Sequence, residues 1–140
     1  PLWSRGLGDV YKRQVYDALD FAGIETVGAN ALDLSGATHL HFDIWTPNAT
    51  EFGFKLVDWG ADNSFGGGDD TEAQLNFSAT STPALTTGGW VSYDVPLVDF
   101  AVAGLANQSH ISQYIVVGRV DGVPGVATVL LDNVYFYTAP

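Results

Sequence analysis

Apolar and polar residues alternate with a period of two along most of this chain. The clearest run follows the Ser35-Gly36 turn. There Leu40, Phe42 and Ile44 alternate with His39, His41, Asp43 and Trp45, the pattern of a half-buried strand. Pro47-Asn48 ends it. EFGFKLVDW places Phe52, Phe54 and Leu56 inward, with Lys55 and Val57 opposite. EAQLNFS places Ala73, Leu75 and Phe77 together, and WVSYDVPL is a strand closed by Pro96. ISQYIVVGRV and ATVLLDNVYFY form the last two strands, split by DGVPG. Near the start, VYDALDF sets Val15, Asp17, Leu19 and Phe21 on one face and Tyr16, Ala18 and Asp20 on the other, and GIETV is a further extended piece. GADNSFGGGDDTE and TSTPALTTGG read as loops, and VDFAVAGLANQSH holds at most a helical turn. About seven short strands, frequent Gly and Pro turns and no long helical period predict an all-β antiparallel sandwich.

Composition narrows the possible roles. With 140 residues the chain is one domain at most, and its 46% apolar content suits a sizeable core. Cysteine is absent, which excludes disulfides, thiolate metal sites and a Cys nucleophile. Methionine is absent as well, so cleavage, design or truncation is expected at the N-terminus. The net charge of −11 disfavours nucleic acid and anionic membrane surfaces, both of which need clustered Lys and Arg. Neutral ligands, cations and neutral polysaccharides remain. No apolar run reaches the roughly 18 residues of a membrane span.

The opening differs from the rest. PLWSRGLGDVYKRQ carries Arg5, Lys12 and Arg13, three of the five basic residues. It follows neither a helical nor a strand period, and it resembles a translated sequencing-adapter read-through at the end of a metagenomic reading frame. Residues 1–14 are therefore read as a non-native or disordered leader, and 15–138 as the module. On that reading the first strand region is cut short.

Three segments then line up in order: LDLSGATHLHFDIWTP, GGWVSYDVPLVDF and VLLDNVYFY. The D-x-S-G turn into a strand, the G-W-x-x-x-x-V-P-L-x-x-F run and the terminal L-D-N-V-Y-F resemble the galactose-binding-like jelly rolls. More narrowly, they resemble accessory modules of secreted bacterial glycoside hydrolases of the laminarinase type. The resemblance implies a jelly roll and carbohydrate binding, and an extra N-terminal strand that this chain lacks. It also implies an acid near the last strand, here Asp132, that helps to hold a structural calcium beside N-terminal ligands.

Catalytic chemistry has little support in the sequence. Only Glu25, Glu51 and Glu72 are glutamates, none in the E-x-D-x-x-E spacing of a laminarinase catalytic strand, and no G-x-S-x-G elbow occurs. His39 and His41 share a strand face, which reads as a polar surface in preference to a metal site. The loop offers Asp58, Asp62, Asn63, Asp69, Asp70 and Glu72, hard oxygen donors that suit calcium, yet a solvated loop is the plainer reading. Sugar recognition needs an aromatic ring for the apolar face of a pyranose and directional polar groups for its hydroxyls. Trp45 shares its face with His41 and Asp43. Lys55, with Gln113 or Arg119, is expected to join from neighbouring strands, and Trp59 to form a rim. The resemblance, with the aromatic and acidic composition and the lack of a catalytic set, implies a non-catalytic, extracellular module that binds a neutral polysaccharide, a β-glucan above others, for a covalently linked glycoside hydrolase. The competing reading is a structural spacer or cell-surface interaction domain without a sugar site.

Overall fold

The computed structural model describes residues 13–140. Among these the order is β1 (Gln14–Leu19), β2 (Phe21–Glu25), β3 (His39–Trp45), β4 (Glu51–Asp58), β5 (Thr71–Ser78), β6 (Trp90–Pro96), α1 (Leu97–Val102), β7 (Ile111–Val120), β8 (Val123–Pro124) and β9 (Ala127–Tyr137). The strands form two antiparallel sheets. One has the order β1-β9-β3-β6; the other has the order β2-β7-β4-β5, with β8 added to β7. This is the β-sandwich that the alternation predicts. The leader reading of residues 1–14 falls mostly on residues 1–12, which lie outside the described residues.

Alternation sets the inward faces. The first sheet contributes Leu40, Phe42 and Ile44 from β3, Val91, Tyr93 and Val95 from β6, and Val129 and Leu131 from β9. The second contributes Phe52, Phe54 and Leu56 from β4, Ala73 and Phe77 from β5, and Tyr114 and Val116 from β7. Phe42 lies at the centre of this layer, its ring centroid 5.2 Å from that of Tyr93 and 5.3 Å from that of Phe54. At Gly118 of β7 the packing against Ala127 of β9 and Leu19 leaves no room for a side chain. A Cβ on Gly118 would lie 2.9 Å from that of Ala127 and 3.1 Å from Leu19 Cδ2.

The start of the chain departs from expectation. VYDALDF is not one strand with one apolar face. The pairing of β1 with β9 is irregular between Tyr16 and Leu19, and Ala18 takes a φ of 50°. This bend re-aims the chain. Leu19 enters the core at 4% exposure, and after Asp20 the chain joins the other sheet, where Phe21 is 68% exposed. A local period of two cannot report such a change of sheet. At the other side of the sandwich, Pro96 closes β6 and the Leu97 amide donates to the Thr38 carbonyl at 2.8 Å. Helix α1 then tucks Leu97 and Phe100 into the core.

Two core phenols make the fold sensitive to alkali. Burial pushes Tyr93 and Tyr114 up to about 12. An unfolded tyrosine titrates near 10. The folded state therefore keeps a proton that the unfolded state releases, and stability present below about pH 10 is lost as the pH rises toward 12. The Tyr93 hydroxyl is buried and has no protein hydrogen-bond partner among the described residues. Y93F is expected to melt no lower than the parent at pH 8, because it removes a polar group rather than a bond. Its melting temperature should also fall less steeply from pH 10 to 12. Equal slopes in thermal melts across that range would contradict this account.

Candidate functional site

The outward face of the first sheet holds an organised set of polar and aromatic side chains. Strand register places them in rows across β9, β3 and β6. Trp45 stands opposite Trp90 and Leu130, and Asp43 opposite Ser92 and Asp132. His41 stands opposite Asp94 and Tyr135, and His39 opposite Pro96 and Tyr137. Rows on one face lie two residues apart, so four rows extend over about 20 Å. The alternation that buries Phe42 and Tyr93 is the same one that turns these residues outward.

Between the His41 and Asp43 rows, β9 carries one extra residue. This is Asn133, at φ 51°, a conformation that asparagine tolerates better than most residues. The bulge turns Asn133 onto the face, where its Nδ2 donates to Asp43 Oδ2 at 2.7 Å. Ser92 Oγ donates to Asp43 Oδ1 at 2.5 Å. The His41 ring stacks on Tyr135 with centroids 4.7 Å apart. Its Nδ1 donates to Asp94 Oδ1 at 2.8 Å, and its Nε2 is 3.4 Å from Asp43 Oδ1. Tyr137 also donates to Asp94 Oδ1, at 2.9 Å, and its ring stacks on His39.

These bonds set the electrostatics. Asp94 is held below the usual carboxylate range, first by the His41 hydrogen bond, with Tyr137 adding to it against partial desolvation. The reciprocal effect raises Tyr137, chiefly through its bond to Asp94. Tyr135 is raised by burial and by the nearby Asp94 and Asp43 charges. At the Trp end, the Arg13 guanidinium lies 5.1 Å from the Trp90 ring centroid, and its Nε is 3.5 Å from Asp132 Oδ2. The face thus combines flat rings with fixed hydrogen-bond acceptors.

His41, Asp43 and Trp45 are brought together as the sequence suggests, and Asp132 stands in the Asp43 row. Lys55, Gln113 and Arg119 are not part of this group. They lie on β4 and β7, in the opposite sheet, so the expectation that they join Trp45 from neighbouring strands is corrected. The strand after β3 crosses to the other layer, and the actual neighbours of β3 are β6 and β9. On their own face, Lys55 pairs with Glu72 at 2.6 Å, Gln113 Nε2 donates to Glu25 at 2.8 Å, and Arg119 meets Asp20 at 2.8 Å. Trp59 follows β4 and packs beside Phe65 with centroids 6.0 Å apart.

The acidic loop uses its carboxylates on backbone amides, its own and that of His110. Asp58 accepts from the Gly60 and His110 amides, Asp69 from Ala61, and Asp70 from Gly66. No group of three metal-ligating side chains is found among the described residues, at Asp132 or elsewhere. Trp90, which after Gly88-Gly89 reads as a core or strand-start residue, Ser92, Asp94, Asn133, Tyr135 and Tyr137 are not assigned to the site by sequence reasoning; Trp90 does open β6, but it is 42% exposed and not in the core. Trp90, Ser92 and Asp94 are the outward half of the WVSYDVP alternation. The tyrosines flank buried Phe136 in the same manner. That signal was present, but the register that joins these strands to β3 was not.

No protein-family model and no curated protein matches this chain. Solved structures do. A family 30 carbohydrate-binding module of a cellulosomal cellulase of Clostridium thermocellum aligns with TM-score 0.62 and 18% identity, over 84% of this chain and 66% of that one. The chain spans 60% and 67% of two other family 30 modules. A family 11 module from Clostridium thermocellum, solved in complex with a β-1,3-1,4-mixed-linked tetrasaccharide, aligns with TM-score 0.57 and 11% identity over 94% of both chains. An exo-β-agarase aligns over 91% of this chain and 20% of its own, with TM-score 0.56 and 15% identity. The sandwich described above is therefore the fold shared by family 30 and family 11 carbohydrate-binding modules.

Proposed function

We propose that this chain is a non-catalytic carbohydrate-binding module whose first-sheet face takes a neutral polysaccharide, a β-glucan above others. In this reading the module acts outside the cell and holds an attached glycoside hydrolase on its substrate. One observation carries the reading: Trp45 and Trp90 stand side by side and outward, at one end of a row of fixed carboxylates. Trp90 is 42% exposed and Trp45 is half-buried. A spacer without a sugar site has no need of outward tryptophans beside an ordered ladder of Asp, His and Tyr. A glycosidase places its two carboxyl groups on either side of the scissile bond. Here Asp43 and Asp94 stand on one open sheet face and are linked through His41.

The bonding groups also suit a neutral polyol. The carboxylates accept hydrogen bonds from hydroxyls, and the rings cover apolar C–H faces. The net charge of −11 opposes anionic glycans. The family 11 neighbour solved with a mixed-linkage tetrasaccharide supports the choice of β-glucan. Calorimetric titration with barley mixed-linkage β-glucan, laminarin and alginate tests the proposal. Saturable heat is expected with at least one of the neutral glucans and none with alginate. Absence of heat with every neutral glucan would reject it.

A further inference from the structure

We infer that Asp94 is the carboxylate of this face that contacts the glycan directly, and that Asp43 positions the face without contacting the ligand itself. This rests on the glycan-binding reading above and deepens it.

The argument is a count of hydrogen bonds at each oxygen. A carboxylate offers about four acceptor positions. Asp43 is met on both oxygens: Ser92 donates to Oδ1, which also faces His41 Nε2 at 3.4 Å, and Asn133 donates to Oδ2. Its side chain is only 19% exposed. Asp132 accepts the Asn133 amide at Oδ1, its Oδ2 faces the Arg13 guanidinium only across a 3.5 Å ion pair, and its side chain is 25% exposed.

Asp94 differs. Both of its protein donors, His41 Nδ1 and Tyr137 Oη, arrive at Oδ1. Oδ2 receives no hydrogen bond from the described residues, and the side chain is 54% exposed. Two donors on one oxygen fix the carboxylate, which leaves the other directed outward with little freedom to lose on binding. A sugar hydroxyl that donates to Oδ2 makes a charge-assisted bond, about twice as strong as a neutral one. Register places this oxygen in the row of Tyr135, between the Trp45 end and the Tyr137 end. It is therefore within the area that a glycan stacked on the rings would cover. His41 and Tyr137 act through Asp94 and are positioning residues.

The test compares D94A, D94N and D43A with the parent chain, by calorimetry against barley mixed-linkage β-glucan and laminarin and by thermal melting. D94A is expected to bind about 10- to 100-fold more weakly while it melts within a few degrees of the parent. D94N keeps the shape without the charge and should fall between. D43A should lose melting temperature together with affinity, since it releases Ser92, Asn133 and His41 at once. If the parent binds and both Asp94 variants bind within twofold of it, the inference is overturned and the glycan-binding reading stands. It is also overturned if D43A loses affinity with unchanged melting while D94A does not. No heat from the parent with either glucan overturns both.

Discussion

Replacement of Trp45 by alanine is expected to weaken β-glucan binding by about 30-fold or more, with little change in melting temperature. Few residues dominate a binding surface, and Trp is prominent among them, with losses near 2 kcal/mol or above on truncation. Trp45 is on the central strand of the face, with Trp90 on one side and Leu130 on the other. A pyranose stacked there loses a flat apolar contact that no neighbour replaces. The indole lies outside the buried core cluster, so its removal opens no internal cavity. W45F should recover part of the affinity, because a smaller ring still covers some of the sugar. Calorimetry and melting on the same samples decide the matter. Affinity within twofold of the parent for W45A would remove the principal support for the proposed function.

The contrast between Trp45 and Lys55 shows what a single sequence reveals about such a face. Side-chain direction along one strand is a local property. LHFDIW and FGFKLV state which residues face in and which face out; the structure agrees throughout β3 and for Phe52, Phe54, Lys55 and Leu56 of β4, whereas Val57, expected on the outer face with Lys55, is buried. Neighbourhood is not local. β3 pairs with β6 and β9, both distant in sequence, while β4 crosses to the other sheet. Nearness in sequence thus suggests Lys55 as a neighbour of Trp45, although the two are on opposite sides of the sandwich. Tyr135 and Tyr137 show the converse, being remote from β3 in sequence but adjacent to it in space. The bulge at Asn133 is harder still to read. It depends on one extra residue relative to a partner strand, and the partner must be known before the excess can be counted. The switch of sheets at Asp20 belongs to the same class.

Phe42 marks the point at which fold and site depend on each other, and its truncation is expected to have the largest effect on stability. F42A should cost about 3–5 kcal/mol. The ring is fully buried and packs against Phe52, Phe54, Phe77 and Tyr93, which come from both sheets. A void there removes contacts from four rigid aromatic neighbours that can relax only in part. Against a typical total of about 5–15 kcal/mol, this is a large share, and urea denaturation should show the midpoint fall accordingly. V15A, at a position 62% exposed, should shift stability by less than about 0.5 kcal/mol. Phe42 is flanked in sequence by His41 and Asp43, which face outward from the same backbone. A loosened β3 therefore also disturbs the His41–Asp94 bond that fixes the face. F42A should weaken glucan binding even under conditions where the chain remains folded, although Phe42 touches no ligand. A loss of stability below about 1 kcal/mol, or full affinity in a destabilised F42A, would mean that the aromatic layer does not hold the face in register.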